Sequence, residues 1–239
     1  MSTFRFIQQS VSHSIKDRGI EEQFQHSFHL TSLFFSQLAY FSHSYTAKKL
    51  AEISADEYNL YNSEGTQGLF ARFGDTAVVS FRGTEPNKWS DIKTILRFWK
   101  KDVDGIRVHS GFISSLNNVV ESARNDIEKA NCTNNIYTGH SMGGGLATLL
   151  AYQHNPTSLC TFGEPKVSGG DLFRERMSGF RYDRIVAKHD WIRFLPFGIP
   201  RLMEYHHCGE EMLLPSKWNW KSWTEPHYLS TYNNLLLHT

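Results

Sequence analysis

The sequence predicts an α/β fold with a mostly parallel central sheet flanked by helices. Three observations carry that expectation. Strand-like apolar runs alternate with helical patterns from about residue 76 to 190. Two β-rich runs meet at a Gly-Asp turn just ahead of them. One strand then passes into a helix through "IYTGHSMGGGLA", residues 136–147, whose small residues suit a very tight turn.

The elements follow in order. "SFHLTSLFFSQLAYFS" (27–42) places Leu30, Leu33, Phe34, Leu38 and Phe41 at helical spacing, which predicts a helix packed on a large surface. "TQGLFARFGDTAVVSFRGT" (66–84) predicts two strands joined at Gly74-Asp75. "GFISSLNNVVESARNDIEKAN" (111–131) sets Phe112, Leu116, Val119, Val120, Ala123 and Ile127 on the face of one helix. A short strand ending at Tyr137 precedes the small-residue turn, and "GGLATLLAYQH" (144–154) predicts an apolar helix behind it. "SLCTF" (158–162) and "RYDRIVAKHD" (181–190) predict further strands, and "MEYHHCGEEMLL" (203–214) alternates like another. With no repeat, low-complexity tract or linker, the expectation is one domain over residues 1–239.

Composition narrows the function classes. A chain of 239 residues can bury roughly 70–75% of its unfolded surface and needs no disulfides to fold. Cys132, Cys160 and Cys208 are odd in number and form no CxxC pair, so they predict reduced, mostly buried thiols. A formal net charge of +1 gives no global attraction for nucleic acid. The first 20 residues lack the apolar core and cleavage site of a secretory signal. No stretch approaches the roughly 18 consecutive apolar residues of a membrane span. The expectation is a soluble protein, cytoplasmic or exported by a route without a cleavable signal.

Gly139-His140-Ser141-Met142-Gly143 fits G-x-S-x-G between a predicted strand and a predicted helix, the setting of a nucleophile elbow. Glycines flank Ser141 because side chains there would collide with neighbouring backbone. The Met142 N–H, at the helix start, points where an oxyanion would develop. A serine needs a histidine base oriented by a carboxylate, and in this arrangement both follow the serine, acid first. The acid candidates are Glu164, Asp171, Asp183 and Asp190. Asp190 is favoured because it directly follows the apolar strand "RIVAKH". Asp183 stands at the opposite end of that strand, and Asp171 opens a helix, where it would serve as N-cap. Among His189, His206, His207, His227 and His238, the favoured base is His227, which follows a long loop and opens the last helical segment; His207 is second. A metal site at His206, His207 and Cys208 is disfavoured, because neighbours on a strand point to opposite faces. No cofactor is required.

These residues resemble the class 3 lipase family, the fungal-lipase-like branch of the α/β-hydrolases, over roughly residues 30–235. "SFRGTE" (80–85) resembles its oxyanion strand, and "RVHSGF" (107–112) its His-x-Gly-Phe turn. "TGHSMGGGLA" is close to its elbow and "TFGEPKVSG" (161–169) to its next strand-loop block. "EYHHCGEE" and "EPHYLSTY" resemble its last two blocks. The resemblance implies Ser141 as nucleophile, Asp190 as acid and His227 as base. It also implies Thr84 as the second oxyanion donor beside Met142, a role that "FRGT" alone does not suggest. Gly145 departs from the alanine usual in the elbow, and "HDWIRFLPF" departs from the Asp-hydrophobic-Val-Pro pattern around the acid.

The family carries a helical lid between its "FRGT" and "VHSGF" blocks, here within residues 85–105. Trp89, Ile92, Leu96 and Trp99 fall at helical spacing there, among Lys88, Lys93, Arg97, Lys100 and Lys101. A basic, aromatic amphipathic helix suits a lipid headgroup boundary. All six tryptophans lie in this segment, beside Asp190, or in "LLPSKWNWKSW" ahead of His227, which adds Trp218 and Trp220 to the candidate lipid interface. The implied activity is ester hydrolysis of acyl glycerolipids, as a triacylglycerol lipase or phospholipase A1, at a membrane or emulsion surface. A short-chain or aromatic-acid esterase and a catalytically silent scaffold are the alternatives.

Overall fold

The computed structural model describes residues 28–84, 100–196, 205–216 and 225–237. Two helices, α1 (Phe28–Leu38) and α2 (His43–Glu52), precede strands β1 (Glu57–Ser63), β2 (Thr66–Phe73) and β3 (Thr76–Phe81). A separate hairpin follows, β4 (Lys100–Val103) with β5 (Ile106–His109), and then α3 (Ser110–Asn117) and α4 (Val120–Ala130). The remaining elements are β6 (Asn134–His140), α5 (Met142–Gln153), β7 (Ser158–Phe162), α6 (Asp171–Met177), β8 (Arg181–Ala187), β9 (Glu210–Leu214) and α7 (Leu229–Leu236).

The described residues build a seven-stranded sheet in the order β1-β2-β3-β6-β7-β8-β9. The first three strands are antiparallel neighbours, and β3, β6, β7, β8 and β9 run parallel. This is an α/β-hydrolase fold. Strands covered on both faces read as continuous apolar runs, and β3 (TAVVSF) is buried at every position. Its alternate residues feed two cores. Ala77, Val79 and Phe81 face Leu146, Leu150 and Phe112 of α5 and α3. Val78 faces Phe34, Phe35 and Leu38 of α1. A third cluster joins Leu33, Phe162, Ile185 and Tyr232, which fastens α1 and α7 to the same face. Each such buried Leu or Phe contributes roughly 1.5–3 kcal/mol relative to exposure.

The hairpin at Gly74-Asp75 and the strand 158–162 are present, and the helix expected over 27–42 is present as Phe28–Leu38, with Phe41 beyond its end. Other expectations change. The single helix expected over 111–131 is two, broken at Asn118 and Val119, where Val119 leaves helical geometry at φ −132°. The strand before the elbow does not stop at Tyr137 but reaches His140, and the helix begins at Met142. Of the alternating run 203–214, only Glu210–Leu214 is strand, while His206 forms an isolated bridge with Ser168. Within the expected helical lid 85–105, residues 85–99 lie outside the described residues and Lys100–Val103 is strand. Asp104 and Gly105 both have positive φ, at 47° and 83°, and close the β4–β5 hairpin as a two-residue type I′ turn.

The parallel register aligns the C-terminal ends of successive strands. Phe81 pairs with Gly139, His140 with Phe162 and Phe162 with Ile185. The loops after β3, β6, β7 and β8 therefore open on one edge of the sheet, where ligands bind in open α/β folds.

Candidate active site

Ser141 stands at that edge with φ 57° and ψ −130°, outside the regions an L-residue adopts without strain. The turn is pinned by its own backbone. The Ser141 N–H donates to the Phe162 carbonyl at 2.9 Å, and the Gly144 N–H returns to the Ser141 carbonyl at 3.0 Å. A side chain at Gly143 would run into the Phe81 carbonyl and one at Gly139 into the Gly143 backbone, so only glycine fits. The reading of "GHSMG" as a tight strand-to-helix turn therefore holds in its backbone geometry.

The two expected oxyanion donors are neighbours. The Thr84 hydroxyl points at the Met142 sulfur, 3.9 Å away. Gly83, just before Thr84, lies so close that an added Cβ would sit 3.0 Å from the Cβ of Ser141. The loop after β3 thus borders the serine, although its sequence alone read as a strand and a turn.

Asp190 and His227 meet below the same edge. His227 Nδ1 lies 2.6 Å from Asp190 Oδ2. Tyr232 donates its hydroxyl to the same oxygen at 2.5 Å, and the Ile192 N–H donates to Oδ1 at 3.0 Å. Asp190 is 1% exposed, and His227 and Tyr232 are fully buried. Burial and the adjacent Asp190 charge push the Tyr232 hydroxyl well above its ordinary range, so it remains a donor. With Nδ1–H committed to the carboxylate, a neutral His227 carries its basic lone pair on Nε2.

The elbow histidine completes the surroundings. His140 Nε2 lies 2.7 Å from the His227 carbonyl and His140 Nδ1 lies 2.9 Å from the Tyr40 hydroxyl. Its ring centroid is 4.6 Å from that of His227. Burial, followed by the charge of His227, holds the His140 imidazole well below its usual pKa.

The other acid and base candidates are engaged elsewhere. Glu164 is caged by hydroxyls, accepting from Thr148 at 2.6 Å, Thr161 at 2.8 Å and Tyr182 at 2.5 Å. Asp183 holds His29 and Arg181, each at 2.6 Å. Asp171 is not the N-cap of α6: Gly170 occupies that position, and Asp171 lies within the first turn without a capping bond. His207 faces the Arg193 carbonyl at 2.7 Å, and His206 is exposed. The expected interface residues Trp89, Ile92, Leu96, Trp99, Trp218 and Trp220, together with His238, lie outside the described residues.

Tyr40 and Tyr232 were absent from the sequence-derived site. Neither sits at a fixed spacing from its partner, 100 residues away for Tyr40 and 42 for Tyr232. Tyr232 does fall in the quoted "EPHYLSTY" block, one helical turn past its N-cap Tyr228.

Comparison with known proteins turns on one match. The family model described as lipase (class 3) covers residues 78–199, just over half of the chain, from β3 through the loop after β8. The chain belongs to the class 3 lipase family. Among similar proteins, a lipase of Rhizopus niveus is 29% identical over 156 residues, covering 59% of this chain and 39% of that protein. The secreted mono- and diacylglycerol lipase 1 of Fusarium solani is 32% identical over 152 residues, covering 57% and 43%. The crystal structure of a lipase from Rhizopus microsporus var. chinensis superimposes with a TM-score of 0.62 at 27% identity, over 78% of this chain and 74% of that one. The matched region thus spans under half the length of these curated relatives.

Proposed function

We propose that this class 3 lipase-family protein is a serine carboxylic-ester hydrolase that releases fatty acids from acyl glycerolipids. The observation that carries the reading is the strained Ser141 at the sheet edge that also holds the buried His227–Asp190 pair. Ser141 Oγ attacks the ester carbonyl as His227 Nε2 takes its proton, and Asp190 keeps the imidazole oriented. The backbone N–H groups of Thr84 and Met142 receive the oxyanion. His227 then returns the proton to the departing alcohol, which leaves an acyl-Ser141 ester that water hydrolyses by the same steps. The whole chain acts as one domain in this reading, with residues 85–105 as the lid. Ser141 is 2% exposed, and in this reading the lid moves aside to admit substrate.

The test is fatty-acid release from triolein emulsion and from phosphatidylcholine and phosphatidylglycerol vesicles, with fluorophosphonate labelling in parallel. Wild type should release acid and be labelled at Ser141. Ser141→Ala should lose the label and at least about 10³-fold in rate. Release from phospholipid but not triolein would make the protein a phospholipase, and the reverse a neutral lipase. An unlabelled, inactive wild type would sink the proposal.

A further inference from the structure

We infer that Tyr40 and His140 are positioning residues that tie the oxyanion loop to the main chain of the base His227. The inference rests on the proposed ester hydrolysis and assigns two residues outside its triad.

Three hydrogen bonds form one chain across the site. The Gly83 N–H donates to the Tyr40 hydroxyl oxygen at 3.1 Å. Tyr40 and His140 Nδ1 are 2.9 Å apart, and His140 Nε2 is 2.7 Å from the His227 carbonyl. Proton inventory fixes every direction. A carbonyl only accepts, so His140 Nε2 carries the hydrogen. In the neutral imidazole Nδ1 then accepts, so Tyr40 donates to it and keeps a lone pair for Gly83. Four segments distant in sequence are joined: the turn after α1, the loop after β3, the elbow and the His227 loop.

Two consequences follow for the reaction. Gly83 immediately precedes Thr84, so Tyr40 holds the Arg82–Gly83 peptide, one peptide before the proposed oxyanion donor. The His227 carbonyl anchors the residue whose ring must alternate between neutral and charged. A proton on His140 Nδ1 would face Tyr40 and put a second charge beside the His227 ring, 4.6 Å away, when it becomes imidazolium. The groups facing His140 are Tyr40, with Arg82 beside it, His227 with Asp190 behind it, and the ring of Tyr232 at 6.0 Å. Burial holds His140 well below its ordinary pKa, consistent with an imidazole that stays neutral.

The experiment measures kcat and KM for p-nitrophenyl butyrate from pH 5 to 9, with melting temperatures and fluorophosphonate labelling. The proteins are wild type, Tyr40→Phe, His140→Asn and His140→Gln. Asparagine offers an acceptor where Nδ1 was, and glutamine a donor where Nε2 was, so each keeps one arm of the chain. Tyr40→Phe should lower kcat about tenfold with KM within about twofold, below the roughly 10²–10³-fold cost of losing an oxyanion donor outright. His140→Gln should behave like Tyr40→Phe. His140→Asn should move the acidic limb of the pH profile, because the His227 arm is cut. An active wild type with all three variants within about twofold of its kcat and with its pH limb would overturn the inference. So would losses that only track the unfolded fraction. If the histidine variants fail to fold, the near-isosteric Tyr40→Phe decides by its kcat. An inactive, unlabelled wild type would instead reject the hydrolase reading itself.

Discussion

Ser141 holds its backbone in a conformation that costs of order 1–3 kcal/mol for any residue with a Cβ. The cost is tolerated because the turn presents a hydroxyl at the sheet edge. Ser141→Gly should therefore raise the thermal midpoint by a few degrees, since about 1 kcal/mol shifts it roughly 2–4 °C in a chain of this size. Ser141→Ala, which keeps the Cβ, should leave the midpoint near wild type. Calorimetry of the three proteins checks this, and a glycine variant no more stable than the alanine variant would remove the strain reading. Ser141 was legible in the sequence because everything that makes its turn lies within five consecutive residues. Asp190 and His227 were legible only through their order along the chain. Tyr40 was not legible at all, since nothing local marks a tyrosine that reaches the elbow across 100 residues.

Elements were legible where pattern and burial agree. The buried β3 and β7 read as apolar runs, whereas β1, mostly exposed at the sheet edge, carries the polar sequence EYNLYNS and gave no signal. The β4–β5 hairpin was hidden because a helical reading of 85–105 ran across the Asp104-Gly105 turn that marks it. The segment leading into β9 carries a pH-dependent load. His207 donates to the Arg193 carbonyl, and burial together with the positive charge of Arg184 pushes its pKa down to about 3. In the unfolded chain it would titrate near 6.5. Between those values the unfolded state binds a proton that the folded state does not, so stability rises with pH. The contribution is complete above about pH 6.5 and is lost as pH falls toward 3. Its slope is at most about 1.4 kcal/mol per pH unit. Unfolding free energies from urea titration should therefore fall between pH 6.5 and 5 by up to about 2 kcal/mol more in wild type than in His207→Gln, whose amide keeps the bond to Arg193. His140, depressed in the same direction, affects both proteins equally. An identical acid loss in the two proteins would place the sensitivity elsewhere.

At the scale of the molecule, a net charge of +1 provides no overall pull toward a negative surface. A preference for anionic lipid would then have to come from the local run of Lys88, Lys93, Arg97, Lys100 and Lys101. Ser141→Ala protein should bind phosphatidylglycerol vesicles more tightly than phosphatidylcholine at low salt. The difference should shrink toward zero near 0.5–1 M salt, as the Debye length falls to about 3–4 Å. Equal binding at low salt would dismiss the charge run as a lipid contact. Among the described residues, no helix is long and apolar enough to cross a membrane. The hydrogen-bond chain through Tyr40, His140 and His227 also bears on how the molecule comes into being. Its members, with Asp190 and Tyr232, are spread from residue 40 to residue 232, so almost none of the site can be assembled from neighbours in the chain. Synthesis delivers the elbow before the histidine arm. Until residue 232 has emerged and α7 has docked, Ser141 has neither the proposed base His227 nor the carbonyl that anchors His140. If the proposed hydrolase reading holds, a half-made chain would carry the serine with no means to fire it, and attack on lipid would wait until α7 had docked.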